Sequence, residues 1–235
     1  MAVRRLPGGQ TYNRGRKMLE RTRGMMNWLW EKKCLAVVKA LERRNFTSVY
    51  CATASDAAEY ILKQAEGAQT VGFGGSMTVS DLQVTEPLQS MGKELLIHGN
   101  PNLTPEEKMT VMRRQLTCDL FLASANAITI DGVLVNVDGV GNRVAAMIFG
   151  PKKVILTVGR NKIVDGGIED ACKRVRQQAS PPNAMRLGKN TPCAITGMCA
   201  DCASPDRICN VTAVFERKPQ RTDFHVLVVN DDLGF

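Results

Sequence analysis

Four cysteines crowd into seventeen residues near the end of the chain, Cys193, Cys199, Cys202 and Cys209, in the pattern C-x5-C-x2-C-x6-C. Four thiolates can hold zinc tetrahedrally or ligate an iron–sulfur cluster, and the inner C-x2-C lets two sulfurs reach one metal. The spacing matches neither a zinc ribbon nor the usual ferredoxin run, so the residues leave zinc, a cluster and free thiols open. Two glycine-bearing stretches are the other places where chemistry could occur. In GFGGSMTVSD, Gly72, Gly74 and Gly75 remove side chains at the end of an apolar run, and Ser76, Thr78 and Ser80 bring hydroxyls to the start of a helix. Backbone donors and hydroxyls at a helix start suit a phosphate or carboxylate, although a plain strand-to-helix turn uses the same residues. No Lys-Ser/Thr pair follows and the glycine spacing is not that of the dinucleotide fingerprint, which excludes a Walker loop and a Rossmann turn.

In DGVGNR, Gly139 and Gly141 flank Val140, a spacing that lets backbone N–H groups approach an anion and that a tight turn also explains. Asp138 is the candidate base there and Arg143 the candidate partner of an anion, while Asn126, Asp131 and Asn142 occupy neighbouring turns. An aspartate in a glycine-rich turn more often bonds its own backbone. His98 ends an apolar run and His225 lies inside one; with no visible partner both read as structural.

The elements that must position these groups follow from hydrophobic periodicity. Asp119 to Ala123, Val133 to Val137 and Val154 to Val158 are short apolar runs bounded by Gly, Asn, Asp or Pro, which predicts buried strands. Phe46 to Ala52, Thr70 to Phe73, Glu94 to His98, Val211 to Phe215 and Phe224 to Val229 predict further strands. Met25 to Arg44 carries Met25, Trp28, Leu29, Leu35, Val38 and Leu41 on one helical face. Thr53 precedes a helix that stops at Gly67, and Thr104, Pro105 and Glu107 make a capping box with proline at the first helical position. Ile168 to Ala179 reads as a basic helix ended by Ser180-Pro181-Pro182. Strands and helices alternate from Phe46 to Ile163, the signature of an α/β sheet with mainly parallel strands, whose ligands bind beyond the carboxyl ends of the strands. The three polar turns follow strands and would converge on one cleft. Residues 183–210 show little periodicity and form an irregular Cys-rich segment, which gains order from metal or cross-links more readily than from packing.

At 235 residues and 44% hydrophobic, the composition is that of an ordinary globular protein. The net charge of +8 is concentrated in residues 1–23, where Arg4, Arg5, Arg14, Arg16, Lys17, Arg21 and Arg23 face Glu20 alone. This basic leader, rich in glycine and arginine, is expected to be mobile and separate from a domain over 24–235. Without aromatic interleaving, the charge does not argue for nucleic-acid binding. No apolar run reaches the length of a membrane span and no secretory core is present, so a cytoplasmic, reducing location is expected, with Cys34, Cys51, Cys118 and Cys172 as buried free thiols.

The blocks GFGGSMT, ANAITIDGVLVNVDGVGNRVAAMIFGPKKVILTVGRNKIV, SPPNAMRL, TPCAITGMCADCASPDRICN and LVVNDDLGF, in this order, make the chain resemble the LUD-domain family of lactate utilisation proteins from about Met25 to Phe235. The resemblance implies a fold similar to the NagB/RpiA/CoA-transferase-like group and a link to bacterial L-lactate oxidation, where a related subunit acts with iron–sulfur partners. It implies a ligand turn at Gly72, Gly74, Gly75, Ser76 and Thr78, and acid or base groups near Asn126, Asp131, Asp138 and Asn142. No Glu stands where CoA transferases of that fold carry their nucleophile, which argues against a glutamyl thioester. The leading expectation is therefore a component of lactate or 2-hydroxy-acid oxidation. Arg143, Asn142 and the Gly74–Ser76 backbone would bind a small anionic metabolite, Asp138 and Asn126 would be the catalytic candidates, and the four clustered cysteines would hold an iron–sulfur cluster or zinc. The alternatives are an isomerase- or transferase-like enzyme on a phosphorylated or CoA-linked substrate with structural zinc, and a metabolite-binding module without chemistry. A homodimer is the expectation of the fold group.

Overall fold

The computed structural model describes the backbone of residues 9–235 and the side chains of residues 18–235. Six of the apolar runs pair into one wholly parallel sheet. Its order is β1 (Thr47–Cys51), β10 (Asp223–Val229), β7 (Lys153–Gly159), β4 (Leu120–Ala123), β2 (Thr70–Phe73) and β3 (Glu94–Leu96). The central strands are apolar on both faces because helices cover both. Phe121 and Ala123 of β4 and Val154, Leu156 and Val158 of β7 point to one layer, with Cys34, Val37 and Leu41. Leu120, Leu122 and Ile155 point to the other, with Ala57, Ile61 and Leu88. This period of two separates the layers.

The first layer rests on α1 (Gly9–Arg43), α5 (Pro105–Gln115) and α6 (Asn142–Ile148); the second on α2 (Ala54–Ala65), α3 (Met77–Asp81) and α4 (Thr85–Ser90). Thr104 closes a reciprocal capping box with Glu107, and Pro105 takes the first turn of α5, as the sequence pattern predicts; Thr53 is the expected N-cap of α2 and completes a box with Asp56 as well. The N-terminal helix is longer than its apolar face. It starts at Gly9, inside the basic leader; among its described side chains the buried ones, Cys34, Val37, Val38, Ala40 and Leu41, lie at its C-terminal end, and Met25 and Trp28 are exposed. The first eight residues of the leader lie outside the described residues.

Two of the predicted strands leave the main sheet. A second sheet of order β8 (Ile163–Val164), β5 (Ala127–Thr129), β6 (Leu134–Asp138) and β9 (Val211–Phe215) pairs β6 antiparallel to both β5 and β9. For β5 and β6 the reason is connection length, since a parallel return needs a dozen residues or more. Only the Asp131-Gly132 turn region separates β5 from β6, and Thr129 N–H and Gly132 N–H close it at 3.0 and 2.9 Å. Gly132 has φ +87 and packs so tightly that a Cβ would stand 2.9 Å from the Ala40 carbonyl carbon. Asp131 does not face a cleft: it accepts from Thr129 Oγ1 at 2.5 Å and Arg44 at 2.8 Å, tying the turn to α1.

The expected helix stop at Ser180 is also absent. α7 (Ile168–Arg174) passes through a π-helical turn, Val175–Ala179, into α8 (Ser180–Arg186), and α9 (Pro192–Thr196) follows. Ser180 N–H donates to Val175 O across the π turn, and the two prolines fall in the first turn of α8, where no amide donor is required. Among the described residues, no helix is long and apolar enough to cross a membrane.

Candidate functional site

The carboxyl ends of β2, β4 and β7 lie side by side, and each runs into a polar turn: Gly74–Ser76, Ser124–Asn126 and the 3-10 turn Arg160–Lys162. They enclose a cavity of about 60 Å³ whose wall includes Gly74, Ser76, Ser124, Asn126, Arg143 and Lys162. The C-terminal tail closes one side. Thr78 Oγ1 donates to Leu233 O at 3.2 Å, Gly234 N–H donates to Asp81 at 2.8 Å, and Phe235 lines the cavity. Gly234 is at φ +58 with no room for a side chain, since a Cβ would stand 2.5 Å from Thr78 Oγ1.

Lys162, 4% exposed, sits at the back of this cavity and donates to Thr78 Oγ1 at 2.6 Å and Ser124 Oγ at 2.9 Å. Burial, and then the positive charges of Arg174 and Arg143, push its ammonium down to about 7, against a smaller opposing pull from Asp81. Among the described residues it has no carboxylate ion-pair partner. Arg174 reinforces the positive potential while holding the turns together through Asn126 O at 2.6 Å and Asn161 O at 2.8 Å; burial lowers its own guanidinium to about 10. Neither residue was singled out by motif. The one local signal for Lys162 is a lysine directly followed by the apolar pair Ile163-Val164 at a strand end.

Arg143 lines the cavity, as expected, but its donors are spent within the protein. It is paired with Asp138 at 2.7 Å, and also donates to Ser124 O at 2.7 Å, Asn126 Oδ1 at 2.9 Å, Val137 O at 3.0 Å and Asn136 Oδ1 at 3.2 Å. Asp138 is likewise engaged, accepting from Arg143 on one oxygen and from Val144 N–H at 2.9 Å on the other. The pair is a buried brace between β6 and α6 and is not arranged as a free base beside a free anion receptor. Asn126 Oδ1 also accepts from Val137 N–H at 2.8 Å, which leaves its Nδ2 as the donor on the cavity wall. Asn142, the first residue of α6, is half-buried and outside the cavity lining.

The three glycines of the first motif do different things. Gly72 is inside the sheet, where a Cβ would stand 2.9 Å from Cys118 Sγ and 3.0 Å from a Phe121 ring carbon. Gly74 borders the cavity, 3.1 Å from Ala123 and Arg143 on the same measure, and Gly75 turns the chain at φ +70 over His98. Gly72→Ala should therefore cost about 1–3 kcal/mol in chemical unfolding through overpacking and leave ligand affinity unchanged. Ser76 caps α3 through Val79 N–H at 3.3 Å, and α3 has only five residues. His98 bonds Gln115 Nε2 at 3.0 Å and burial lowers its pKa. His225 is clamped between Tyr60 Oη and Asp223, each at 2.9 Å, at the opposite end of the sheet. Both histidines have the structural partners that the sequence does not reveal.

Cys193, Cys199, Cys202 and Cys209 all border one small, mostly apolar pocket, whose wall also includes Ser180. As placed, no group of three or more Cys, His, Asp or Glu among the described residues is close enough to hold an ion. The donor set nonetheless has the right chemistry for a thiophilic metal. Arg207 braces those loops through Cys202 O at 2.7 Å and Cys209 O at 3.0 Å. Cys34, Cys51 and Cys118 are buried and burial raises their thiols to about 11, 12 and 11; Cys172 is only half-buried.

The pocket and the cavity are neighbours. Ala179 and Asn183 line the cavity while Ser180, between them, lines the cysteine pocket, so the start of α8 is their common wall. The two sites also meet through β6, because Asn210 N–H donates to Asp138 O at 2.9 Å, and Ile208 packs on Gly139. The second glycine motif thus seats the cysteine segment.

The family model of the LUD domain matches residues 35–229. A solved structure to which the chain is similar is a DUF162 family protein from Deinococcus radiodurans, at 13% identity over 85% of this chain and 98% of that one, with a TM-score of 0.49. No curated protein matches.

Proposed function

Because the chain belongs to the LUD-domain family, we propose that it is a component of a lactate or related 2-hydroxy-acid oxidation system, binding a small carboxylate in the cavity and a redox metal centre at the cysteines. The observation that carries this reading is the shared wall at Ala179–Ser180–Asn183, which sets a four-thiol pocket back to back with a cationic cavity. A centre bound at Cys193, Cys199, Cys202 and Cys209 would supply electron transfer; the chain's own residues would bind and orient the acid. Arg174, beside the cavity, and Lys162 in its protonated form lend it positive potential, and Asn126 Nδ2, with no hydrogen bond among the described residues, supplies a donor. The volume of about 60 Å³ supports a three-carbon acid as the part of a ligand held inside the cavity. A cytoplasmic location and iron–sulfur redox partners belong to the same proposal.

Metal and sulfide analysis of protein purified without oxygen and without a metal-binding tag tests it. Iron with sulfide, and a broad visible absorption that bleaches on reduction, are expected, together with loss of both in Cys199→Ser/Cys202→Ser. Stoichiometric zinc would instead make the segment a structural clip, and protein with neither metal would remove the redox role.

A further inference from the structure

We infer that Lys162 is a reactive amine of the cavity, one that condenses with the carbonyl of a small 2-oxo acid to hold it as an imine; this rests on the proposed small-carboxylate site. The geometry isolates one position on its nitrogen. Thr78 Oγ1 gives its hydrogen to Leu233 O and Ser124 Oγ gives its hydrogen to Ala125 O, so both oxygens can only accept from Lys162. Two N–H groups of the amine are thereby committed, and in the neutral form the remaining tetrahedral position is a lone pair with no protein hydrogen directed at it among the described residues. Thr78, Ser124 and Lys162 all line the cavity. A lysine used only for structure would be expected to have a carboxylate partner at this depth. Burial, and then the neighbouring Arg174 and Arg143, bring the amine down to about 7, so a large share of it is unprotonated near neutral pH.

The nitrogen adds to C2 of the oxo acid to form a carbinolamine. The C–O bond then breaks, the former carbonyl oxygen leaves as water carrying the two protons of the amine, and a C=N bond remains. The oxygens of Thr78 and Ser124, at 2.6 and 2.9 Å from the nitrogen, hold the two N–H groups of the amine until those protons pass to the departing oxygen. The acid's carboxylate would meet the Asn126 amide and the field of the two guanidinium groups. No oxidant or reductant is consumed, so the step is independent of a metal at the cysteines.

Pyruvate is the probe. The full chain is incubated with pyruvate and cyanoborohydride at several pH values, followed by intact mass and peptide mapping, while pyruvate binding without reductant is read by thermal shift. One reduced pyruvyl adduct on Lys162 is expected, forming faster as pH rises through about 7 and missing in Lys162→Met. Mapping on the unsubstituted chain identifies the lysine even where that variant folds poorly. Thermal stabilisation by pyruvate without an adduct on Lys162, or labelling spread over exposed lysines, would overturn the imine and leave the carboxylate site standing. Neither stabilisation nor adduct would overturn both.

Discussion

Replacing Arg143 by alanine is expected to destabilise the chain severely, by about 3–5 kcal/mol, in urea unfolding monitored by circular dichroism. Against a typical total of roughly 5–15 kcal/mol, that is enough to leave a large unfolded fraction at moderate temperature. The side chains of Arg143 and Asp138 are only 11% and 9% exposed. Removing the guanidinium leaves a buried carboxylate with one amide donor, Val144 N–H, and strips a donor from the carbonyls of Ser124 and Val137. Ser124 lies in the turn after β4 of the main sheet and Val137 in β6 of the second, so the loss loosens the joint between the sheets as well as the local turn. Arg143→Met combined with Asp138→Asn should recover much of the loss, because a neutral pair of similar volume needs no compensating charge. An Arg143→Ala chain of unchanged stability that had lost affinity for pyruvate would restore the opposite role, in which the guanidinium is spare and pairs with the ligand.

Stability is expected to rise with pH between about 7 and 8.5, and Lys162→Met should remove that rise. The unfolded chain keeps a proton on this amine up to 10.5, whereas the folded chain releases it at about 7. In between, the unfolded state binds more protons, so unfolding free energy increases by up to about 1.4 kcal/mol per pH unit; below the folded value the curve is flat. The groups that set this window face Lys162 from three helices, Arg143 of α6, Arg174 of α7 and Asp81 of α3. Above about pH 9 the sign reverses for other groups. Cys34, Cys51 and Cys118 hold their protons to about 11, 12 and 11 when folded against 9.0 when unfolded, which makes the unfolded state the weaker proton binder there. Urea unfolding of both chains at pH 6, 7 and 8.5 separates the effects, because the cysteines cancel in the difference between the two. Parallel pH profiles for wild type and Lys162→Met would mean that the amine keeps its ordinary pKa and is hydrated.

Local chemistry explains which parts of this protein can be read in one dimension. The capping boxes at Thr53 and Thr104 involve residues three apart, so their geometry is complete within the sequence. The parallel sheet follows from apolar runs without alternation, since only strands covered on both faces can be apolar throughout. The four cysteines were legible as one group because they are close in the chain, and they do border one pocket. By contrast, the helix stop at Ser180-Pro181-Pro182 did not materialise, because a π turn beneath it realigns the prolines with a new first turn. The predicted strands at 133–137 and 211–215 exist but build a second sheet, which periodicity cannot distinguish from the first.

By itself the sequence determined the α/β class, the caps, two of the turns at the carboxyl ends of the strands, Gly74–Ser76 and Ser124–Asn126, and the thiol-rich segment, because each depends on short-range spacing or composition; the third expected turn, at Gly139 and Gly141, packs on the cysteine segment, and Arg160–Lys162 takes its place at the cavity. Only the tertiary structure decided what the charged residues do. Arg143 and Asp138 look free in DGVGNR, yet they pair with each other, Arg143 also reaches Ser124 O nineteen residues away, and the pair becomes a brace. Lys162 looks like an ordinary surface lysine, yet it is buried against Thr78, 84 residues away, with two arginines beside it and, among the described residues, no carboxylate ion-pair partner. Burial and the charge of distant neighbours set the protonation and hydrogen bonding of a side chain, and both are properties of the folded chain.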